Sequence, residues 1–164
     1  MQFAEASLGD LTDISRIFHD CWHISYKDLL SKDVREAMSL VAAEELWRPS
    51  LENPQDRQTI VGKIGQEILS VFRIGSDKDV PRSGHLFSLY VSPSASGNGY
   101  GGQSLEEAMA RIRKKGFTEM TLWVFKENMV ANSLYQKYGF LPTGRARIDE
   151  RWRADEIELR KENL

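Results

Sequence analysis

Residues 96–102 read Ser-Gly-Asn-Gly-Tyr-Gly-Gly, a composition suited to holding an anion. Glycines let a backbone turn tightly and approach a ligand with no Cβ in the way. The segment follows an apolar stretch, His85–Val91, and precedes residues of helical spacing. It therefore feeds a helix N-terminus, where unpaired N–H groups and the helix dipole favour phosphate. On the residues alone, one reading is a glycine turn with no ligand. A second is a pyrophosphate cradle. A third is a dinucleotide site, because Gly97, Gly99 and Gly102 satisfy G-x-G-x-x-G. Against the third, Ser92–Ser96 with Pro93 separates strand from glycines, and too few residues follow for a second nucleotide-binding half. No Gly-Lys-Ser/Thr is present for an NTP-binding loop. His85, beside the polar Ser83-Gly84, reads by itself as a solvated strand start, although histidine is the residue type whose ordinary pKa lies near neutral pH.

Other chemistries are excluded by count. Cys21 is the single cysteine, so no internal disulfide or multi-cysteine zinc site can form. It reads as a small buried hydrophobe. His19, His23 and His85 lack metal-ligand spacing, and no metal is expected. The 22 Lys+Arg against 24 Asp+Glu give a net charge of −2, which argues against nucleic acid or an anionic membrane as partner. No apolar run is long enough to span a bilayer, and no basic-then-apolar leader is visible at the N-terminus. A cytoplasmic protein is expected. At 164 residues, one domain covering 1–164 is the expectation, with a core that needs no staples.

The elements that must position the loop follow from periodicity. Met1–Glu5 suits an edge strand. Ser7 with Asp10 makes a capping box before a helix carrying Leu11, Ile14, Ile17, Phe18 and Cys21 on one face. Ser31 opens a second helical stretch, and Pro49 limits a further one near Val41–Arg48. Thr59–Ile64 and Glu67–Ile74 around Gly65-Gln66 predict a hairpin. Ser76–Gly84 is a loop and His85–Val91 a strand. A helix then carries Leu105, Ala108, Met109 and Ile112, ended by Gly116. Thr118–Phe125 is a strand, and Asn128–Tyr138 a helix stopped by Gly139. Strands near Gly144–Arg151 and Glu156–Lys161 close the chain. The order β-α-α-β-β-β-α-β-α-β-β predicts an α/β fold with one mixed sheet.

Two motifs carry a resemblance. Leu89-Tyr90-Val91-Ser92-Pro93 followed by Gly97, Gly99 and Gly101 resembles the acetyl-CoA-binding motif of the GNAT superfamily of N-acetyltransferases, with Ser96 where Arg or Gln is usual. Asn128-Met129-Val130-Ala131-Asn132-Ser133-Leu134-Tyr135-Gln136-Lys137-Tyr138-Gly139-Phe140 resembles that family's Asn-x-x-Ala-x-x-Leu/Phe-Tyr-x-x-x-Gly-Phe signature at every fixed position. Together with their flanking strands they cover about the last 80 residues.

The resemblance implies a mostly antiparallel sheet flanked by helices, with its central strands splayed. It implies acetyl transfer from acetyl-CoA, as cosubstrate, to a primary amine of a small molecule or peptide by direct attack. The main chain of Gly97, Asn98, Gly99, Tyr100, Gly101 and Gly102 would meet pyrophosphate. Tyr90 and Val91 would border the pantetheine arm, with an amide at or near Val91 facing the developing oxyanion. Asn128 would contact the arm or nearby backbone. Tyr135 matches the tyrosine that can protonate the departing sulfur. His85 stands where many members carry a glutamate base. Trp22, Tyr26 and Phe72 are candidates for the acceptor pocket, and Trp152 and Arg153 for a turn bordering it. Homodimers are common in such a family. The alternative is a catalytically idle acyl-CoA-binding or sensing module on the same fold.

Overall fold

Seven segments with strand character join one sheet: β1 Gln2–Glu5, β2 Gln58–Ile64, β3 Glu67–Ser76, β4 Ser83–Val91, β5 Glu119–Phe125, β6 Leu141–Asp149 and β7 Ala154–Glu162. Their lateral order is β1-β2-β3-β4-β5-β7-β6. Every neighbouring pair is antiparallel except β4–β5, which is parallel. The computed structural model describes all of residues 1–164. Five α-helices flank the sheet: α1 Leu11–Asp20, α2 Lys32–Ala37, α3 Leu40–Glu52, α4 Tyr100–Lys114 and α5 Met129–Lys137. The expected mixed, mostly antiparallel sheet with flanking helices is present. None of the helices is long and apolar enough to cross a membrane.

The period-two alternation of strands sorts residues into two cores. Val61 and Val71 pack with Ile14, Phe18 and Trp47 of α1 and α3. Their chain neighbours Ile60 and Phe72 pack with Leu105, Ala108 and Ile112 of α4. On β4 the alternation breaks. Arg73 faces Ser88 and Ile74 faces Leu86, leaving Phe87 as an extra residue. Such a bulge bends its strand and flips the faces beyond it. Leu86 therefore sits in the α4-side core, while Tyr90, four residues on, packs on Phe18 of α1 at 5.0 Å.

The N-terminal helices depart from expectation in three ways. The Ser7–Asp10 box forms, the Asp10 carboxylate accepting from the Ser7 amide at 2.9 Å, but it opens a short 3₁₀ turn ahead of α1. After Asp20 the helix widens into a single π turn, Cys21–Ser25. Pro49 lies inside α3 rather than ending it. Its ring removes one backbone donor, yet Trp47 and Ser50 on either side are buried and carry the helix on to Glu52. The stretches from Ser31 and around Val41–Arg48 are separate helices, α2 and α3, so this region holds one helix more than the expected order. β6 starts at Leu141, earlier than expected, and its Gly144 adopts φ +86° where residues 143–145 oppose Glu158.

Candidate active site

β4 and β5 pair from Ser83↔Glu119 to Leu86↔Leu122 and no further. β4 continues along β3 to Val91, and β5 continues along β7 to Phe125. The two strands thus part just where Phe87 bends β4. A cavity of about 470 Å³ fills the gap, bordered by Leu89, Tyr90, Phe125, Asn128, Ala131 and Tyr135 and, further along, by Asp77, His85, Arg147, Trp152 and Glu156. The amides inside it can be assigned. Ser92 N–H donates to the Leu69 carbonyl on β3 at 2.8 Å. Successive strand amides alternate sides, so the N–H groups of Val91 and Leu89 face the gap. An extended, amide-bearing chain can pair there as an added strand.

The glycine loop follows the end of β4 and leads into α4. Gly97 and Gly99 adopt φ +81° and +77°, the left-handed region that favours glycine. A Cβ at either would meet nothing within 4 Å, so both line open space. The first backbone bond of α4 runs from Gln103 N–H to the Gly99 carbonyl. The amides of Tyr100, Gly101 and Gly102 are therefore the helix's unpaired donors. This open, donor-rich cradle fits a diphosphate. Gly101 and Gly102 also let α4 approach α5, since a Cβ on Gly102 would lie 2.5 Å from the Tyr138 hydroxyl. The Asn98 side chain donates to the carbonyls of Ala95 and Ser96 at 3.1 and 3.3 Å. It stiffens the loop, leaving only its main chain for a ligand. The Tyr100 ring is half-buried and makes no side-chain hydrogen bond.

α5 supplies the phenol. Asn128 caps the helix, its Oδ1 accepting from Ala131 N–H at 3.1 Å. Asn132 locks the preceding turn by donating to the carbonyls of Phe125, Lys126 and Asn128. These contacts fix Tyr135 one turn on, against Phe140 at 5.9 Å and at the cavity wall. Its hydroxyl has no protein partner, and burial pushes its pKa well above the ordinary tyrosine value. It stays protonated and can donate. Burial does the same to Tyr26 and Tyr90.

The family model described as "Acetyltransferase (GNAT) family" matches residues 11–140. The chain belongs to the GNAT family. Among curated relatives, the Bacillus subtilis (strain 168) protein described as uncharacterized N-acetyltransferase YuaI is 25% identical over 125 residues, covering 76% of this chain and 71% of that one. A Thermoplasma acidophilum spermidine N(1)-acetyltransferase is 22% identical over 153 residues, covering 85% and 88%. Among solved structures, the Thermoplasma acidophilum PaiA N-acetyltransferase in complex with coenzyme A superposes with TM-score 0.75 at 19% identity, over 98% of both chains. This GNAT enzyme is an acyltransferase that uses acetyl-CoA.

Among the ionisable groups that line the gap in this GNAT scaffold are His85 and Glu156. His85 is buried on β4, with Nδ1 2.7 Å from Thr121 Oγ1 and 3.4 Å from Asp77 Oδ2. Burial lowers its pKa, outweighing the nearby Asp77 carboxylate, so the ring is neutral at pH 7. Glu156, on β7, was not singled out by motif. Both Nε and Nη2 of Arg147 bind its Oε2 at 2.7 Å, while Oε1 has no protein partner. Burial raises its pKa against the pull of Arg147. The alternation Glu156-Ile157-Glu158-Leu159 was its signal: two acids on the strand face opposite two core residues.

The acceptor-pocket candidates separate. Tyr26 lines the cavity, edge-on to Phe125 at 5.5 Å. Trp22 and Phe72 do not reach it. Trp22 is 1% exposed, packed beneath Trp152 at 4.3 Å. Phe72 is fully buried on the α4 side of β3, because strand parity turns it away from the face where the π turn brings Tyr26. Trp152 lines the cavity from the β6–β7 turn, and Arg153 in the same turn pairs with Asp33 of α2. Cys21 donates to the Val91 carbonyl at 3.3 Å, and burial pushes its thiol up to about 12. It therefore stays a protonated thiol near neutral pH.

Proposed function

We propose that this GNAT enzyme acetylates a primary amine by direct attack, with His85 taking the amine proton and Tyr135 supplying a proton to the leaving sulfur. Acetyl-CoA, when bound, supplies the acetyl thioester. The observation that carries the reading is the gap beyond Leu86–Leu122, where one cavity is lined by a protonated phenol, a neutral imidazole and unpaired β4 amides. The amides of Tyr100, Gly101 and Gly102 hold diphosphate. Val91 N–H binds the pantetheine arm, and Leu89 N–H, deeper in the gap, meets the charge developing on the thioester oxygen. His85 accepts the proton directly or through one water.

Glu156 serves the acceptor. It lines the same cavity as the aromatic residues Tyr26, Tyr90, Phe125 and Trp152, and its Oε1 has no protein partner. A carboxylate within aromatic walls suits an alkylammonium group. The spermidine acetyltransferase among the relatives supports polyamines as the first acceptors to try. The test is release of CoA thiol across a panel of polyamines, alkylamines, amino acids and N-terminal peptides. Amine-dependent release is expected. Saturable CoA binding with no release across the panel would assign the sensing module instead.

A further inference from the structure

His85, Thr121 and Asp77 form a buried chain across three elements. His85 comes from β4, Thr121 from β5 and Asp77 from the loop before β4. Thr121 is fully buried, and the Asp77 side chain is 7% exposed. Asp77 is itself held in place. Its Oδ1 accepts from the amides of Asp79 at 2.8 Å and Val80 at 3.1 Å, and its Oδ2 faces the Thr121 hydroxyl.

Proton counting leaves one arrangement. A threonine hydroxyl has one hydrogen to give. Around Thr121 Oγ1 stand the Asp77 carboxylate, the Gly84 carbonyl at 3.3 Å and His85 Nδ1 at 2.7 Å. The first two only accept. Thr121 therefore donates to Asp77, and the Nδ1 contact is made by an N–H on the imidazole. Nδ1 also lies 3.4 Å from Asp77 Oδ2, an anionic oxygen that favours a proton on that nitrogen. A neutral ring with its proton on Nδ1 has its lone pair on Nε2, which has no protein partner and belongs to a ring lining the cavity.

We propose that Asp77, acting through Thr121, is a positioning pair that holds His85 in the Nδ1–H tautomer and leaves Nε2 free to accept a proton in the cavity. This rests on the reading of His85 as the base. The charged groups facing the ring are Asp77 from its loop, Arg147 from β6 and Glu158 from β7. Arg147 is paired with Glu156 and Glu158 with Arg145. Asp77 is thus the carboxylate left to act on the ring. Holding a tautomer matters because the wrong one presents an N–H where a lone pair is needed.

The test combines ¹⁵N NMR of the histidine ring with kinetics using an amine found by the thiol-release panel. In the unsubstituted protein the ring is expected to carry its proton on Nδ1, a readout that needs no variant to fold. Thr121→Val is expected to give mixed tautomers and to lower kcat at least about tenfold. KM for the amine should stay within about twofold, and Thr121→Ser should restore both signals. A ring protonated on Nε2 in the unsubstituted protein overturns the proposal. So does a folded Thr121→Val protein with unchanged tautomer and kcat. His85→Gln separates the two readings: full kcat in that variant removes the base assignment, whereas the tautomer signal judges Asp77 and Thr121 by itself.

Discussion

Leu86 and Leu122 are the last residues that β4 and β5 share, and the next residue of β4, Phe87, is its bulge. The bend and the loss of pairing coincide, so the sheet opens at a fixed depth. Leu89 and Val91 then carry strand amides with no strand to pair with. Such donors are costly to leave buried and unpaired. In the free protein they are expected to exchange with solvent, and to gain partners when an extended chain enters the gap. Saturation with CoA should slow amide hydrogen exchange at Leu89 and Val91 at least about tenfold. Tyr90, whose amide faces β3, should change little. Equal slowing at all three positions would point to general stiffening instead of pairing in the gap.

Tyr135 is placed by the cap at Asn128 and by the Asn132 lock, not by its own hydroxyl, which bonds nothing in the protein. Tyr135→Phe removes a proton donor while leaving the packing on Phe140. kcat should fall by roughly 10²-fold, the lower range for loss of a general acid. The CoA dissociation constant measured by calorimetry should move less than about threefold. Unchanged turnover would return Tyr135 to the core.

Gly99 opens α4 at φ +77° in open space. In Gly99→Ala the strain of a left-handed alanine costs about 1–2 kcal/mol, and no protein atom clashes. The new methyl instead enters the open space at the helix N-terminus, beside the loop's ligand-facing backbone. CoA affinity should drop at least about tenfold with the far-ultraviolet spectrum unchanged. Gly116→Ala is the control. It shares the positive φ and the open surroundings but lies at the other end of α4, so it should cost similar stability and leave CoA binding alone.

Sequence reading reached furthest where a residue's role is local. The glycine loop and the α5 face depend on neighbours within a few positions, and both are found where spacing puts them. It reached least where sheet parity decides. Phe72 and Tyr90 are both strand aromatics, yet one faces α4 and the other α1. Nothing local says which face the N-terminal helices will cover. The Phe87 bulge reverses the alternation within β4 itself, and no proline or glycine marks it. Glu156 reaches the cavity only because β7 inserts between β5 and β6, a pairing between distant segments. Pro49 misleads for the same reason, since burial of Trp47 and Ser50 outweighs one lost hydrogen bond.

Under the proposed mechanism, His85 as the base sets the acidic limb of the pH–rate profile. A base works unprotonated, so kcat/KM should rise with pH through its pKa. Burial places that pKa below the ordinary histidine value of about 6.5, so the limb should lie on the acid side of that value. His85→Gln keeps a polar ring-sized group and should flatten the limb while lowering the plateau. Persistence of the limb in that variant would assign it to another group, with Glu156 next in the cavity.

Glu156 and Arg147 test acceptor recognition. Arg147 occupies Oε2 alone, so Glu156→Gln keeps shape and removes the charge. The KM for a cationic amine should rise about tenfold, equivalent to roughly 1.4 kcal/mol. CoA affinity should hold, because no residue of the glycine cradle lines the cavity that Glu156 lines. The effect should be greater for polyamines than for a neutral-tailed alkylamine if the carboxylate reads a second ammonium. If it reads only the reacting one, both acceptors should weaken equally. An unchanged KM for every acceptor would leave the Glu156–Arg147 pair as a brace between β6 and β7.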